Sequence, residues 1–490
     1  MNNTLQMIKD IDRYLSPSII ESAKKCAKRL MSALNNDSCD RQKTVLLAYG
    51  GGKDSSYMVA YIRYVQGLVL AEKGDTFLLR IVTNRHAGMN DSVMENIDRV
   101  YQALKIHGDE LVECLITDGL LIRPFQRHLI MPDAVRCQNR MDVLMNGHRF
   151  QADARSTFCN ACNLSMVNSF GMAAHYNGGV DIIITGDSTH EQTAYIAWAR
   201  HLSRLFKAPK TEQHHGFSGF LETLDGVAKA YFSNIYGVDN VDPAHRIIFK
   251  LARDPLFFNI YQDTAYEAGA HWTLLSDFMH FSFDPLMFSF SESDCGNPTL
   301  MAHIRGLRAE TLLKRSYKEG IREYVHFALG LMRQKDFPPH LIAEMAQRYK
   351  DDDAIVSQRQ RSEQFALDAF NLTTEHLTCM IYSPFTERGR NLATYLVQEN
   401  LHFSVDDIHK LLGDSSTPNN TSLSGDLQQL SGLTLPQLRQ CYGSLLVNSL
   451  LEGKSADPLA RILRFDPHKA VIQVSNGVTQ EVVSEVISGR

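Results

Sequence analysis

Strand-like and helix-like segments alternate along this chain from about residue 45, and no other feature of the sequence restricts the fold as strongly. A short apolar run, Val45-Leu46-Leu47-Ala48-Tyr49, ends in three glycines and is followed by helical spacing from Ser55 to about residue 70. Further strand-like runs lie at 77–82, 110–116 and 180–185, with helix-like segments at 92–104 and 188–206. Continuous apolar runs are typical of buried parallel strands, and strands that alternate with helices form a parallel sheet covered on both faces. We therefore predict an α/β fold with a doubly wound parallel sheet.

The rest of the chain predicts two further regions. Residues 1–40 have the pattern of one or two helices, and residues 41–330 contain the α/β domain. Residues 331–490 are mostly helical, with a polar stretch at 413–432 that is typical of a loop or linker. A terminal hairpin is expected to turn at Ser475-Asn476-Gly477. The length of 490 residues agrees with about three regions, since one domain usually spans roughly 150 residues.

Composition and charge exclude several classes of protein. The N-terminal segment lacks the apolar core of a signal peptide, and no apolar run reaches the roughly 18 residues of a membrane span. We therefore expect a soluble, cytoplasmic protein with no membrane partner. The net charge is −5, whereas proteins that bind large nucleic acids usually carry a basic surface. A local basic patch remains open, for example around Arg123, Arg127, Arg136 and Arg140.

The glycine-rich segment Gly50-Gly51-Gly52-Lys53-Asp54-Ser55 joins a strand to a helix, which is an arrangement typical of phosphate binding. Glycines let backbone N–H groups approach an anion closely, and the N-terminus of the helix adds partial positive charge. Lys53 would neutralise phosphate oxygens, Ser55 would donate its hydroxyl, and the carboxylate of Asp54 would hold Mg²⁺. The spacing is not that of a Walker A loop. The alternative is a tight strand-to-helix turn with no ligand.

Nine cysteines without an export signal argue against a disulfide framework, so clustered cysteines indicate metal or sulfur chemistry. Cys159-Asn160-Ala161-Cys162 is such a cluster, predicted at the start of a helix, whose N-terminus favours thiolates. Zn²⁺, an iron–sulfur cluster and thiol–disulfide chemistry all remain open for this pair. For four other cysteines we predict burial as small apolar residues: Cys26, Cys114, Cys379 and Cys441.

The glycine turn resembles the S-G-G-x-D-S loop of the N-type ATP pyrophosphatases, also called the PP-loop family, with Gly50 in place of the serine. The resemblance implies a HUP-type fold and an enzyme that splits ATP between its α and β phosphates. It also implies an adenine site at the end of the second strand, at Thr83 and Asn84. The segment from Thr185 to Gln192 resembles the G-H-H-x-D-D stretch of the tRNA thiolases in part, which implies nucleotide-site roles for Gly186, Asp187 and Glu191.

Cys295 lies in Ser293-Asp294-Cys295-Gly296-Asn297-Pro298, directly before a helix-like segment. This context resembles the third-cysteine segment of the iron–sulfur-dependent tRNA 2-thiolation enzymes within the same family. In that subgroup three cysteines hold a 4Fe-4S cluster, so the resemblance implies that Cys159, Cys162 and Cys295 are metal ligands. It covers residues 40–315 and is detailed at four short segments.

These observations together predict an ATP-dependent sulfurtransferase that acts on a small molecule or nucleobase. ATP and Mg²⁺ would bind at the glycine turn, and sulfide or a cysteine desulfurase would supply the sulfur. The residues with predicted catalytic roles are Lys53, Asp54, Cys159, Cys162 and Cys295.

Three other functions remain open: a tRNA 2-thiolation enzyme, an amide-forming ligase or amidotransferase with structural zinc, and a non-catalytic ATP-binding regulator. The resemblance does not reach residues 331–490. Three roles are open for that region: substrate binding, contact with the sulfur donor, and formation of a homodimer.

Overall fold

The computed structural model describes residues 2–34, 42–185, 216–264, 271–282, 298–334, 337–413, 421–447, 457, 459–460 and 469–488. The strands are β1 (Thr44–Ala48), β2 (Leu78–Asn84), β3 (Val112–Asp118), β4 (Leu121–Pro124), β5 (Ile182–Thr185), β6 (Leu256–Asn259), β7 (Lys469–Ser475) and β8 (Val482–Ser488). The helices of the α/β part are α1 (Asn2–Asp12), α2 (Pro17–Leu34), α3 (Lys53–Lys73), α4 (Asp91–Ala103), α5 (Asp133–Phe150), α6 (Ala154–His175) and α7 (Gly216–Tyr236). The later helices are α8 (Pro298–Thr311), α9 (Tyr317–Gln334), α10 (Pro339–Gln347), α11 (Asp352–Phe370), α12 (Thr374–Tyr382), α13 (Leu392–Gln398), α14 (Val405–Gly413), α15 (Thr421–Ser431) and α16 (Leu435–Gly443).

Six strands form one central sheet in the order β4-β3-β2-β1-β5-β6. All neighbouring pairs are parallel except β3 and β4, which pair antiparallel at one edge. The four predicted strands are therefore confirmed, with small shifts at their ends, whereas the short edge strands β4 and β6 were not predicted. The chain leaves β1 towards β2 on one side and reaches β5 on the other side. Ligands of open α/β sheets usually bind at such a switch point, outside the carboxyl ends of the strands.

Alternate residues of the central strands contribute to two separate apolar cores. Leu46 and Val82 point to the core that also contains α5, α6, α7 and most of the later helices. Val45, Leu47 and Ile81 point to the opposite core, which α1 to α4 cover. Because side chains alternate across a strand, apolar residues at every position require both faces to be buried. The predicted covering of the sheet on both faces is therefore confirmed.

Helices dominate the described part of residues 331–490, as predicted, and they already begin at Pro298. The predicted loop at 413–432 is wrong in its second half, because Thr421–Ser431 is helix α15 with Leu427 fully buried. The terminal hairpin is confirmed, with β7 and β8 paired antiparallel. No helix in the described ranges has the combination of length and apolar character needed to cross a bilayer.

Three histidines are almost completely enclosed in these cores: His86 after β2, His148 in α5 and His303 in α8. Burial lowers the pKa of His86 to about 4, and the nearby carboxylate of Asp142 only partly offsets this. Burial also lowers the pKa of His148 to about 4 and that of His303 to about 3. All three rings are therefore neutral in the folded protein at neutral pH.

Each of these histidines takes up a proton on unfolding when the pH lies between its folded pKa and the unfolded value of about 6.5. The free energy of unfolding should therefore fall as the pH is lowered from about 6.5 towards 4. Replacing one of them, by His303→Gln, should reduce this slope by up to about 1.4 kcal/mol per pH unit. Urea unfolding followed by circular dichroism at pH 7.5, 6 and 5 measures the slope. The exposed-residue control His175→Gln should leave it unchanged, and an equal slope in the His303 variant would contradict the prediction.

Candidate functional site

The glycine turn lies at the carboxyl end of β1, at the switch point of the sheet. Tyr49 extends the pairing with β2 by donating its N–H to the Val82 carbonyl at 2.8 Å. Gly51 then takes a φ of +79°, which favours glycine, and a Cβ there would lie 2.5 Å from Val93 Cγ1. Gly52 caps helix α3 with an extended backbone, so the helix begins at Lys53. The predicted strand–turn–helix unit is confirmed, and its N–H groups at the helix start lie at the carboxyl edge of the sheet.

Hydrogen bonds from hydroxyl groups stabilise the glycine turn. The Ser55 and Ser56 hydroxyls donate to the Gly52 carbonyl at 3.1 and 2.8 Å. The Tyr49 hydroxyl lies 2.9 Å from Ser56 Oγ. The fully buried Thr83 donates its hydroxyl to the Tyr49 carbonyl at 2.9 Å. Thr83 therefore holds the turn through its side chain, and its proposed place in the adenine site stays a prediction.

Lys53 and Asp54 occupy contrasting environments at the start of α3. The Lys53 side chain is 2% exposed and pairs with the carboxylate of Asp54, whose own side chain is 61% exposed. Two aromatic rings also face the Lys53 ammonium, with Nζ 5.6 Å from the ring centroid of Trp272 and 5.5 Å from that of Phe337. Distances of up to about 6 Å are typical of cation–π contacts. The exposed carboxylate is thus accessible to a metal ion, while the ammonium is enclosed.

Helix α6 runs antiparallel to β2 and carries the cysteine pair past the same edge of the sheet. Arg80, near the start of β2, donates to the carbonyls of Ala173 and Tyr176 at the end of α6, at 2.9 and 2.7 Å. Asn84, the last residue of β2, accepts a hydrogen bond from Ser165 at 3.3 Å. Cys162 lies one turn before Ser165, about 4.5 Å further along the helix axis. The pair therefore lies beyond the carboxyl ends of the strands, on the side of the glycine turn.

The two thiols are buried and lie one helical turn apart. Cys159 and Cys162 are each 7% exposed, and Cys159 belongs to the apolar core of this face. They lie in the second and third turns of α6, not at its start, because the helix is capped by Asp153. The expected help of the helix N-terminus to thiolate formation is therefore small, since that effect falls off within the first turn. Two sulfur donors on one turn fit two ligands of a zinc site or an iron–sulfur cluster.

Several predicted site residues cannot be located in this geometry. Thr185 ends β5 beside β1, at the same edge of the sheet. Gly186, Asp187 and Glu191, which follow it, lie outside the described residues, as does Cys295. Within the described ranges, no set of three or more His, Cys, Asp or Glu side chains forms a metal site. The described residues therefore contain two of the three predicted metal ligands.

The four cysteines predicted to be structural behave accordingly. Cys26, Cys379 and Cys441 are fully buried, and Cys114 is partly buried in β3. Burial raises the pKa of each of these thiols to about 12. They are therefore protonated at neutral pH and have little nucleophilic or metal-binding character.

The four arginines of the predicted basic cluster contact other groups of the protein instead of forming a shared patch. Each binds a carboxylate or a main-chain carbonyl: Arg123 the Asp118 carboxylate, Arg127 that of Glu95, Arg136 the Asp368 carbonyl and Arg140 the Asn371 carbonyl. The last two contacts join α5 to the chain around the end of α11. Arg136 and Arg140 therefore link the α/β part to the helical region.

A groove of about 460 Å³ lies beside α6. Its lining is mostly apolar and consists of Leu120, Asp225, Val241, Pro243, Arg246, Ile247, Ile248 and Phe249. The Ile248 N–H donates to Asn168 of α6 at 3.0 Å, and Asn168 follows Cys162 by six residues, about 9 Å along the helix. Volumes of roughly 300–1,000 Å³ are usual for small-molecule sites. No pattern in the sequence predicted this groove.

The contacts of Lys53 with Trp272 and Phe337 were also not predicted. Both aromatic residues lie far from the glycine turn in sequence, and Phe337 belongs to the region that the resemblance does not cover. A tryptophan is a rare residue in this chain, which contains two, but rarity alone does not indicate a contact with Lys53.

Comparison with known proteins adds no family assignment. No protein-family model matches the sequence, and no curated protein is significantly similar to it.

The close approach at Gly51 gives a direct test of the turn. Gly51→Ala should lower the free energy of unfolding by about 2–4 kcal/mol, because it combines a left-handed φ with a clash against Val93. Gly74→Ala is the matched control, since Gly74 has a φ of +75° and open space around its Cβ position. It should cost only about 1–2 kcal/mol. Urea unfolding measures both variants, and equal losses would show that the contact with Val93 is unimportant.

Proposed function

We propose that this protein is an ATP-dependent sulfurtransferase that adenylates a carbonyl oxygen of a small molecule or nucleobase and replaces that oxygen by sulfur. The observation that supports this most is the antiparallel course of α6 along β2. It brings the paired thiols Cys159 and Cys162 to the carboxyl edge of the sheet, where the glycine turn also lies. A site for nucleotide activation and a site for sulfur chemistry would then share one edge.

The reaction would proceed in two balanced steps. The carbonyl oxygen of the substrate attacks the α-phosphorus of ATP, the bond from that phosphorus to the bridging oxygen breaks, and pyrophosphate leaves. Hydrosulfide then adds to the activated carbon, the carbon–oxygen bond breaks, and AMP leaves with the former carbonyl oxygen. Loss of the thiol proton gives the thiocarbonyl, so no oxidant or reductant is needed.

Residues of the glycine turn would act on the phosphates. The N–H groups at the start of α3 would donate to phosphate oxygens, Lys53 would offset their charge, and Asp54 would hold Mg²⁺. Asn84 lies at the adjacent strand end, where its Oδ1 accepts from the Ser165 hydroxyl. Its Nδ2, for which no described residue is an acceptor, would be available to the adenine or to the substrate.

Cys159 and Cys162, with Cys295, would hold a 4Fe-4S cluster. Such a cluster supplies an iron with an open coordination position, which acts as a Lewis acid towards sulfide. The burial of both described thiols in an apolar core would exclude water and protect the bound sulfur. Zn²⁺ is the alternative occupant of these thiols and would favour the amide-forming ligase.

One observation favours a small molecule over tRNA as the substrate. The four clustered arginines, which would be the natural phosphate contacts for an RNA, each bind a group of the protein itself.

Asp54→Ala should abolish the formation of AMP and pyrophosphate, because it removes the carboxylate that would hold Mg²⁺. The assay incubates the protein with Mg-ATP, sulfide and a panel of nucleobases, nucleosides and tRNA, and separates AMP from ADP. Asp91→Ala is the matched control, since Asp91 is also an exposed residue in the first turn of a helix that follows a strand of this sheet. Full activity in the Asp54 variant, or formation of ADP instead of AMP, would contradict the assignment.

The cysteine assignment predicts iron and acid-labile sulfide in similar amounts in protein that is purified without oxygen. Cys159→Ala, Cys162→Ala and Cys295→Ala should each lose the metal, whereas Cys441→Ala, a buried cysteine of the helical region, should retain it. Elemental analysis and the visible spectrum measure both. Colourless protein with stoichiometric zinc would favour the ligase, and retention of metal in the Cys295 variant would exclude the three-ligand site.

A further inference from the structure

We propose that Trp272 and Phe337 together form an aromatic clamp against one side of the Lys53 ammonium, and that the helical region after residue 330 thereby completes the phosphate site. In this arrangement a phosphate group of ATP replaces Asp54 as the anionic partner of Lys53, while both rings stay in place. The inference rests on the proposed nucleotide site and assigns two binding residues that the resemblance does not include.

Lys53 is buried at a position that is unfavourable for a cation. Its side chain is 2% exposed although it lies at the start of a helix, next to the partial positive charge of the helix N-terminus. Both burial and that partial charge oppose a cation, so the ammonium needs compensation at this position. The Asp54 carboxylate contributes to it in this structure, and a bound phosphate would take over that contribution.

The two rings come from different parts of the chain and are each held in place. Trp272 is held beside α3, since the preceding His271 stacks on Tyr57 with centroids 4.0 Å apart. Phe337 is fixed just after α9 by its N–H, which donates to the Met332 carbonyl at 3.1 Å. The two rings contact each other edge to face, with centroids 5.7 Å apart. Two segments from different parts of the chain thus meet at Lys53 and form one surface.

Phe337 and the Asp54 carboxylate differ in their burial. Phe337 is 4% exposed and packs in the core of its face, so it cannot move away without disrupting that core. Asp54 is 61% exposed, so its carboxylate borders solvent and would be within reach of Mg²⁺. A phosphate oxygen therefore exchanges with Asp54, and the ring faces keep the ammonium dehydrated and directed at the phosphate.

The consequence concerns the role of the C-terminal region. If Phe337 belongs to the phosphate site, nucleotide affinity depends on a residue outside the α/β part of the chain. The chain after 330 then has a direct part in nucleotide binding, in addition to any contact with a sulfur donor or a second copy.

The test compares Phe337→Leu, which removes the ring quadrupole but keeps an apolar side chain, with Phe337→Tyr, which keeps the ring. Phe337→Leu should raise the Kd of Mg-ATP by about five- to thirty-fold, the range implied by a desolvated cation–π contact. Phe337→Tyr should stay within about twofold of the wild type. Phe385→Leu is the matched control, because Phe385 is a buried phenylalanine of the same core, and it should also leave the Kd unchanged. Calorimetry on the full chain measures all four proteins.

A second measurement uses Trp272 itself as the reporter. The chain contains two tryptophans, so Trp198→Phe leaves Trp272 as the single one. Its emission should change when Mg-ATP or pyrophosphate binds, and adenosine, which lacks phosphates, should cause no change. Lys53→Met should remove the response.

The clamp proposal would be wrong if Phe337→Leu binds Mg-ATP with wild-type affinity. It would also be wrong if the emission of Trp272 stays unchanged while calorimetry detects ATP binding. Either result would leave the nucleotide site intact. If ATP binds as expected but no AMP or pyrophosphate forms with any substrate, the sulfurtransferase proposal fails and the clamp stands. Absence of ATP binding to the wild-type protein would overturn both.

Discussion

A lysine ammonium that is buried at the N-terminus of a helix has lost several kcal/mol of hydration and faces the positive end of the helix dipole. In this protein Lys53 is in that situation, and its surroundings provide the compensation that the charge requires. Asp54 contributes a carboxylate, and Trp272 and Phe337 contribute the negative faces of their rings. Three parts of the chain therefore meet at the Lys53 ammonium. They are the glycine turn, the segment before the π-helical turn Leu274–Phe278, and the region after α9.

The parallel sheet decides where this charge lies. Parallel pairing brings the carboxyl ends of β1, β2, β3 and β5 to a common edge, and the strand order reverses between β1 and β5. Helix α6 crosses the sheet in the opposite direction to β2, so its first half extends past the same edge. The paired thiols of Cys159 and Cys162, the Asn84 amide and the start of α3 therefore lie towards the same edge of the sheet although they are far apart in sequence.

The strands and the glycine turn could be predicted well because their signals are local. Uninterrupted apolar runs such as 45–48 and 180–185 indicate buried strands, and three successive glycines before a helical pattern indicate a tight turn. The edge strands β4 and β6 were missed because each has only four residues, most of which are exposed or half-buried. Burial therefore constrains their sequences less than those of the central strands. Helix α15 was missed because its polar residues and glycine are typical of a loop, whereas packing of Leu427 against the core stabilises the helix.

The sequence by itself determined the fold class and the strand–turn–helix unit at Gly50–Ser55, because these depend on local spacing and side-chain chemistry. Only the tertiary structure decided what the side chains contact. In the structure the Thr83 hydroxyl donates to the Tyr49 carbonyl, and the arginines of the basic cluster bind acceptors of the protein itself. The rings of Trp272 and Phe337 contact the ammonium of Lys53. Such contacts arise from chain segments that are up to several hundred residues apart, and their geometry is fixed by packing against the whole core, for which a linear pattern carries no signal.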